Sequence, residues 1–203
     1  MDEPFGALDA DFRERMAEEL AALHDRMGAT TVYVTHDQLE AMQMGDKIVV
    51  MNHGVVEQFG VPQNIYDWPA TKFVANFIGS PPMNFLEFDG LFGADTDKVE
   101  LNGHAIKVPT TIEGARGKLT LGVRPEHIHF DDASGYRAEV LAAEYLGTTQ
   151  IITLATPNGE IKARAPSTDV VRTGETIGLS FDERTLTVFE SENGRALLSH
   201  ANK

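Results

Sequence analysis

Short β-like runs separated by turns fill residues 85–189, and they constrain the fold more than any other feature of this chain. The runs read FLEF, KVEL, AIKV, KLTLGV, HIHF, YRAEVLAAEYL, QIITLAT, EIKARA, TIGLSF and LTVF. Asn102-Gly103 and Asn158-Gly159 lie between successive runs, and such pairs favour a type I′ hairpin turn because both of its central residues need positive φ. Regular short strands with such turns indicate a closed or nearly closed β-barrel, either one or two small ones.

The first 79 residues follow a different pattern, in which helical and strand-like segments alternate. Apolar residues recur at spacings of three and four after Asp9, at Phe12, Met16, Leu20, Leu23 and Met27. That periodicity predicts one face of a helix, with Asp9 as its N-cap and Gly28 as its C-cap. Residues 30–35, TTVYVT, predict a short strand.

Further along this first part, His36 is expected to lie between that strand and a second helix. Asp37 and Glu40 match a capping box, so the helix should begin just after His36 and end at Gly45. Residues 47–59 predict a hairpin that turns at His53-Gly54, and residues 73–79 predict a short helix. The stiff Ser-Pro-Pro sequence at 80–82 then separates a domain over residues 1–79 from a domain over residues 80–203.

Composition excludes several classes of function. The 203 residues carry a net charge of −14, and neither half has the basic stripe that a nucleic-acid partner requires. The chain has no cysteine, which excludes disulfides, thiolate catalysis and zinc–cysteine sites.

Asp2, Glu3 and His36 form the best candidate for chemistry. A strand-end aspartate can hold Mg²⁺, which prefers oxygen ligands, and the adjacent glutamate can orient an attacking water. A histidine at the tip of a neighbouring strand can donate a hydrogen bond to a phosphoryl oxygen. Each residue taken alone is more often ordinary solvated charge or a surface residue, so the combination and the surrounding sequence carry the hypothesis.

Longer stretches around these residues resemble one family. DEPFGALDA (2–10) is similar to the end of a Walker B motif followed by the D-loop of ABC-transporter ATPases, and VYVTHDQLEA (32–41) resembles their switch-histidine loop. Residues 45–85 resemble the continuation seen in carbohydrate-import ATPases of the maltose and glycerol-phosphate type. LGVRPEHI (121–128) and AEYLGTTQIITL (143–154) resemble their transport-associated OB-fold regulatory domain.

This resemblance implies a fold class and roles for four residues. The expected fold is an α/β remnant of an ABC ATPase domain followed by an all-β, OB-fold-like regulatory barrel. Asp2 would be the Mg²⁺-associated aspartate, Glu3 the catalytic glutamate, and Asp9 the D-loop residue that communicates across an ATPase dimer. His36 would contact the γ-phosphate of ATP.

The family's phosphate-binding elements are missing from these 203 residues. The P-loop pattern needs Gly, four residues, Gly-Lys and Ser or Thr, but the sole Gly-Lys pair, Gly117-Lys118, has Ile112 at the first position and Leu119 after it. The chain also has no Gly-Gly pair and hence no LSGGQ-type signature. We therefore expect the C-terminal part of a longer subunit that, alone, neither binds nor hydrolyses ATP and needs no cofactor.

The resemblance also implies partners and a location. The intact subunit would bind ATP and Mg²⁺ as a homodimer, contact the transmembrane permease subunits of a sugar importer, and lie on the cytoplasmic face of the membrane. Binding of a regulatory protein or a small ligand at the β-domain (residues 80–203) remains an open alternative. So does a role of the chain as a standalone binding or dimerisation module. An independent metal-dependent hydrolase built from Asp2, Glu3 and His36 is a weaker alternative, since it would lack a pocket.

Three features of the second domain have both a functional and a structural interpretation. Arg124-Pro125-Glu126 and Gly147-Thr148-Thr149 belong to the expected regulatory barrel, but a structural corner and a tight turn are the favoured interpretations. Trp68 is expected to anchor the segment between the domains. His127 and His129 alternate along a predicted strand but lack a third metal ligand, so they are expected to face solvent.

Overall fold

The computed structural model describes residues 1–6 and 8–202 of the chain. It divides into two compact units, Met1–Ile65 and Tyr66–Lys203. Within the described residues, no helix combines the length and the apolarity needed to cross a membrane.

The first unit contains two helices, α1 (Ala10–Met27) and α2 (Gln38–Met44), followed by the hairpin of β1 (Ile48–Asn52) and β2 (Val55–Gly60). Both predicted caps of α1 are confirmed. The Asp9 carboxylate accepts a hydrogen bond from the Phe12 amide, and Gly28 adopts the left-handed conformation with φ of 60°. His53 and Gly54 have φ of 47° and 82°, as a type I′ turn requires.

The strand predicted over residues 30–35 is wrong in its extent. Only Val34 makes a β-bridge, a parallel one with Asp2. The Val34 amide donates to the Met1 carbonyl over 2.9 Å, and the Glu3 amide donates to the Val34 carbonyl over 2.8 Å. Glu3 then has φ of 41° and its carbonyl accepts from the Gly6 amide over 3.2 Å, so the chain turns and the pairing ends there.

The capping box predicted at the start of α2 is only half formed. Asp37 caps the helix by accepting from the Leu39 and Glu40 amides. The Glu40 side chain does not return to the Asp37 amide, which instead donates to Thr35 Oγ1 over 2.9 Å. The helix ends at Gly45 as predicted, although Gly45 has φ of −86° rather than a left-handed value.

The chain continues with two short helices and then ten strands. The helices are α3 (Pro62–Asp67) and α4 (Lys72–Phe77), and α4 confirms the helix predicted near residues 73–79. The strands are β3 (Asn84–Phe92), β4 (Lys98–Leu101), β5 (His104–Lys107), β6 (Ala115–Val123), β7 (Ile128–Phe130), β8 (Arg137–Tyr145), β9 (Thr149–Thr156), β10 (Gly159–Pro166), β11 (Thr176–Phe181) and β12 (Thr187–Glu190).

These strands form a five-stranded sheet in the order β10-β9-β8-β11-β7, a three-stranded sheet in the order β12-β6-β3, and the hairpin β4-β5. One apolar core lies among them and draws buried side chains from all three sheets, including Leu121, Leu154 and Val99. Along β10, buried residues alternate with partly exposed ones from Ile161 to Ala165, because a strand places successive side chains on opposite faces and one face meets this core. The predicted α/β part followed by an all-β domain is therefore confirmed.

The two Asn-Gly turns differ from each other. Asn102 and Gly103 have φ of 49° and 81°, which confirms the type I′ turn between β4 and β5. At the second hairpin Thr156 pairs with Gly159, so the central residues are Pro157 and Asn158 rather than Asn158 and Gly159. The predicted type I′ turn is wrong there, because a proline ring holds φ near −65°.

Candidate functional site

Glu3 and His36 lie in contact where the short parallel pairing ends. His36 Nδ1 donates a hydrogen bond to Glu3 Oε1 over 2.9 Å. The bridge between Asp2 and Val34 brings the chain at Glu3 close to the Thr35-His36 segment. Both side chains remain open to solvent, with 75% of His36 and 51% of Glu3 exposed, so a ligand can reach them.

Asp2 and Asp9 lie apart from that hydrogen bond. Asp2 is exposed and immediately precedes Glu3, so its carboxylate is available to a cation. Asp9 is also exposed, and its carboxylate caps α1 by accepting from the Phe12 amide over 2.9 Å. The structure thus joins Glu3 with His36 and gives Asp9 a helix-capping contact.

A polar network that the sequence did not reveal lies on the chain around His36. Glu40 is buried, and its Oε2 accepts hydrogen bonds from Tyr33 Oη and Thr35 Oγ1, each over 2.7 Å. Arg13 of α1 donates from Nη1 to Asp37 Oδ2 over 3.0 Å and places Nε 3.6 Å from Glu40 Oε1. The loop that carries His36 is therefore held by side-chain hydrogen bonds both before that residue, at Tyr33 and Thr35, and after it, at Asp37.

The surrounding charges favour the protonated form of His36. The hydrogen bond to Glu3 is the largest cause that raises its pKa, and the charges of Glu3, Asp37 and Glu40 act in the same direction. A protonated imidazole donates from both nitrogens, so Nε2 remains as a donor when Nδ1 is bound to Glu3. Such a group suits an incoming oxyanion.

We expect Glu3→Gln to lower the pKa of His36 toward its ordinary value, because the main carboxylate partner is lost. The raised pKa means that this pair contributes to stability fully below about pH 6.5 and loses the contribution as pH rises through the folded-state value. Imidazole NMR of the His36 ring as a function of pH measures the change. Glu18→Gln on the exposed part of α1 is the matched control, and an unchanged His36 titration in Glu3→Gln would contradict the assignment.

The second unit holds a different built cluster, centred on the buried Arg124. Its guanidinium lies 4.1 Å from the centre of the Tyr66 ring and donates to the carbonyls of Tyr66, Ala75 and Ile78. Tyr66 in turn donates from its hydroxyl to Glu126, and burial together with that carboxylate raises the pKa of Tyr66 to about 12. These contacts support the structural interpretation of Arg124-Pro125-Glu126.

The other features of the second unit are arranged as follows. Gly147 has φ of 91° in the turn between β8 and β9, in accord with a tight turn. His127 ends a 3₁₀ turn (Pro125–His127) while His129 lies in β7, so the prediction that they alternate along one strand is wrong. Among the described residues, no group of three His, Cys, Asp or Glu is placed to hold a metal ion.

Two domain families match the second part of the chain. The MalK OB fold domain matches residues 79–128, and the TOBE domain matches residues 121–189. The OB-fold match begins at the predicted boundary near residue 79, whereas the compact units divide after Ile65, so the exact domain boundary stays a prediction. This part of the chain thus consists of an OB fold domain of the MalK kind and a TOBE domain.

The chain is related along its length to the ATP-binding subunits of sugar-import and glycerol-phosphate-import ABC transporters, as the sequence resemblance indicated. It is 41% identical over 200 residues to the sn-glycerol-3-phosphate import ATP-binding protein UgpC of Cereibacter sphaeroides, covering 97% of this chain and 55% of that protein. It is 38% identical over 209 residues to the trehalose/maltose import ATP-binding protein MalK of Thermococcus litoralis, covering 97% and 56%. The chain therefore spans about half the length of the curated relatives it matches.

Proposed function

We propose that this chain forms part of the ATP-hydrolysing subunit of an ABC importer for sugars or related solutes. The observation that carries the proposal is the contact between Glu3 and His36, whose side-chain atoms lie 2.9 Å apart and open to solvent, with exposed Asp2 next to Glu3 in the chain. A water-activating carboxylate next to a donor for phosphoryl oxygens is the pair that nucleotide hydrolysis needs. The import functions named for the relatives support the same conclusion.

Each residue has a defined task in this proposal. Asp2 would hold Mg²⁺, which commonly takes one or two protein carboxylates and fills its other positions with waters and phosphate oxygens. Bound MgATP would supply the phosphoryl group and the metal charge. Glu3 orients the attacking water and accepts its proton, while His36 donates from Nε2 to the oxygen where negative charge develops. Asp9, at the N-terminus of α1, would face a second subunit.

The isolated chain is proposed neither to bind nor to hydrolyse ATP. Phosphoryl transfer depends on a cradle of backbone amides and a lysine around the phosphates, and these 203 residues contain no P-loop sequence and no LSGGQ-type signature. The residues described above fit Mg²⁺ and an attacking water, but they do not by themselves fit a triphosphate. The full site would form only together with a P-loop and an LSGGQ-type signature from elsewhere in the intact subunit.

The proposed partners follow from the same function. Permease subunits in the membrane would receive the conformational change, the ATPase would act as a homodimer on the cytoplasmic face, and the β-domain would take a regulatory role. A small ligand or a regulatory protein would bind that domain.

A chimera tests the catalytic part of this proposal. The aligned 200 residues of the Cereibacter sphaeroides relative would be replaced by this chain, and MgATP hydrolysis would be measured. We expect activity that falls about 10²-fold or more in Glu3→Gln and His36→Ala, in the range of general acid–base contributions, with Glu18→Gln as the neutral control. A folded, active chimera that Glu3→Gln leaves unchanged would overturn the assignment.

Calorimetric titration of the isolated chain with MgATP tests the other part. No binding heat is expected, and light scattering run alongside reports whether the chain forms a dimer. Micromolar binding would show that the 203 residues supply a phosphate site of another kind.

A further inference from the structure

Arg13 is the one described side chain of α1 that reaches both chain segments of the candidate site. Its Nη2 donates to the carbonyl of Leu8 over 3.1 Å, on the loop that leads from Glu3 to Asp9. Its Nη1 donates to Asp37 Oδ2 over 3.0 Å, directly after His36. The Arg13 guanidinium thus donates to both segments of the candidate site, the one that follows Glu3 and the one that follows His36.

The Arg13 contacts differ from those of an ordinary surface ion pair. Exposed pairs contribute about 0 to 1 kcal/mol because solvent screens them and two long side chains lose freedom. Here the Arg13 side chain is 32% exposed and Asp37 27%, and Nε faces Glu40, whose side chain is 9% exposed. Glu40 is itself held by Tyr33 and Thr35, so the guanidinium lies beside a fixed carboxylate, although Nε donates no hydrogen bond to it.

We propose that Arg13 is a positioning residue that holds the His36 loop against the Glu3–Asp9 segment, and thereby sets the contact between Glu3 and His36. The planar guanidinium can serve the Leu8 carbonyl and the Asp37 carboxylate at once because its donors are fixed in a fork. A lysine ammonium is a single point on a flexible stem and cannot bridge the same two acceptors. The proposal concerns how the two residues of the proposed hydrolytic pair are kept together, and so it rests on the proposed function.

The sign of a pKa change separates positioning from simple charge. Loss of a cation near His36, with Asp37 and Glu40 left unneutralised, would raise the imidazole pKa or leave it unchanged. Loss of the Glu3 contact would lower it, since that hydrogen bond is the largest cause of the raised value. The groups that face His36 and act on its titration are Glu3, Asp37 and Glu40.

The experiment measures the His36 pKa by imidazole NMR in the full chain and in the variants Arg13→Gln, Arg13→Lys and Arg15→Gln. Arg15 lies on the same helix two residues away and is exposed, which makes Arg15→Gln the matched control. We expect a fall in the pKa for both Arg13 variants and no change for the control. In the double variant Glu3→Gln with Arg13→Gln we expect no further fall beyond Glu3→Gln alone, because both changes remove the same contact.

Two results would overturn the proposal. One is an unchanged or raised pKa in Arg13→Gln while circular dichroism shows α1 intact. The other is an Arg13→Lys chain in which the His36 pKa equals that of the parent chain. A positive charge at position 13 would then be sufficient without the guanidinium. If Arg13→Gln melts α1, the lysine variant decides, since lysine is a good helix former. No nucleotide enters this measurement, so its failure is distinct from failure of the chimera to hydrolyse MgATP.

Discussion

Arg124→Ala is expected to destabilise the second unit by about 3 kcal/mol or more. The buried guanidinium donates to three main-chain carbonyls, those of Tyr66, Ala75 and Ile78, and a buried acceptor left without its donor costs about 1 to 3 kcal/mol. Burial also lowers the pKa of Arg124, which shows that holding the cation there is itself unfavourable and offsets part of the loss. The carbonyls of Tyr66 and Ile78, left without the guanidinium, outweigh that relief, whereas the Ala75 carbonyl keeps a hydrogen bond from the Met83 amide over 3.3 Å.

Urea unfolding followed by the fluorescence of the single tryptophan, Trp68, measures this effect, since Trp68 lies on the segment that Arg124 holds. Arg124→Lys should recover only a small part of the loss, because an ammonium cannot reproduce the fork of donors or the stacking on Tyr66. Arg184→Ala, an exposed arginine of the same unit, should change stability by less than about 0.5 kcal/mol. Equal stability of Arg124→Ala and Arg184→Ala would show that the buried contacts are not what holds residues 66–79 in place.

Gly178→Ala is expected to destabilise the same unit by about 3 kcal/mol or more, or to prevent its folding. A Cβ at this position of β11 would overlap the carbonyl oxygen of Asp131 and lie 3.1 Å from that of Ser134. Both are main-chain atoms, and the Asp131 amide also donates to the Gly178 carbonyl over 2.9 Å, so the backbone cannot move aside without losing that bond. Overpacking of this kind commonly costs about 1 to 3 kcal/mol and more when backbone must shift.

Thermal unfolding gives the readout, with a fall in Tm on the order of 10 °C expected for a unit of this size. Gly90→Ala in β3 is the matched control, because a Cβ there meets nothing closer than the Phe88 ring at 3.8 Å. We expect Gly90→Ala to be neutral or slightly stabilising, since alanine has fewer unfolded conformations to lose. A Gly178→Ala chain with the same Tm as the Gly90→Ala control would mean that the carbonyls of Asp131 and Ser134 do not approach β11 as closely as the structure has them.

Local signals in the sequence located much of the structure. The caps Asp9 and Gly28 bound α1, and Asp37 starts α2, because a cap depends on atoms within three or four residues. The hairpin at Asn102-Gly103 was equally predictable, since its type follows from the φ values that two adjacent residues accept. The signal failed at Asn158-Gly159, where Pro157 shifted the turn by one residue, and that proline was visible in the sequence.

The contact between Glu3 and His36 was predictable from the sequence, but the residues that support it were not. Asp2, Glu3 and His36 were expected to meet at strand ends, and the structure brings Glu3 and His36 to 2.9 Å. Arg13 was missed because its partners lie 24 and 27 residues away, at Asp37 and Glu40, beyond the range of any local pattern. Glu40 was read as a capping residue, and only the folded chain turns it toward Tyr33 and Thr35.

By itself, the sequence determined the ends of α1, the start of α2, the β-rich character of the second part, and the kinship with import ATP-binding subunits. These properties depend on neighbouring residues or on motif strings, both of which can be read along the chain. Tertiary structure alone decided that the buried Arg124 donates to main-chain carbonyls and that Gly178 admits no side chain. It also decided that Arg13 donates to both segments of the candidate site. The physical reason is that each of these depends on backbone carbonyls or carboxylates contributed by distant parts of the chain, whose positions are set only when the whole unit has packed.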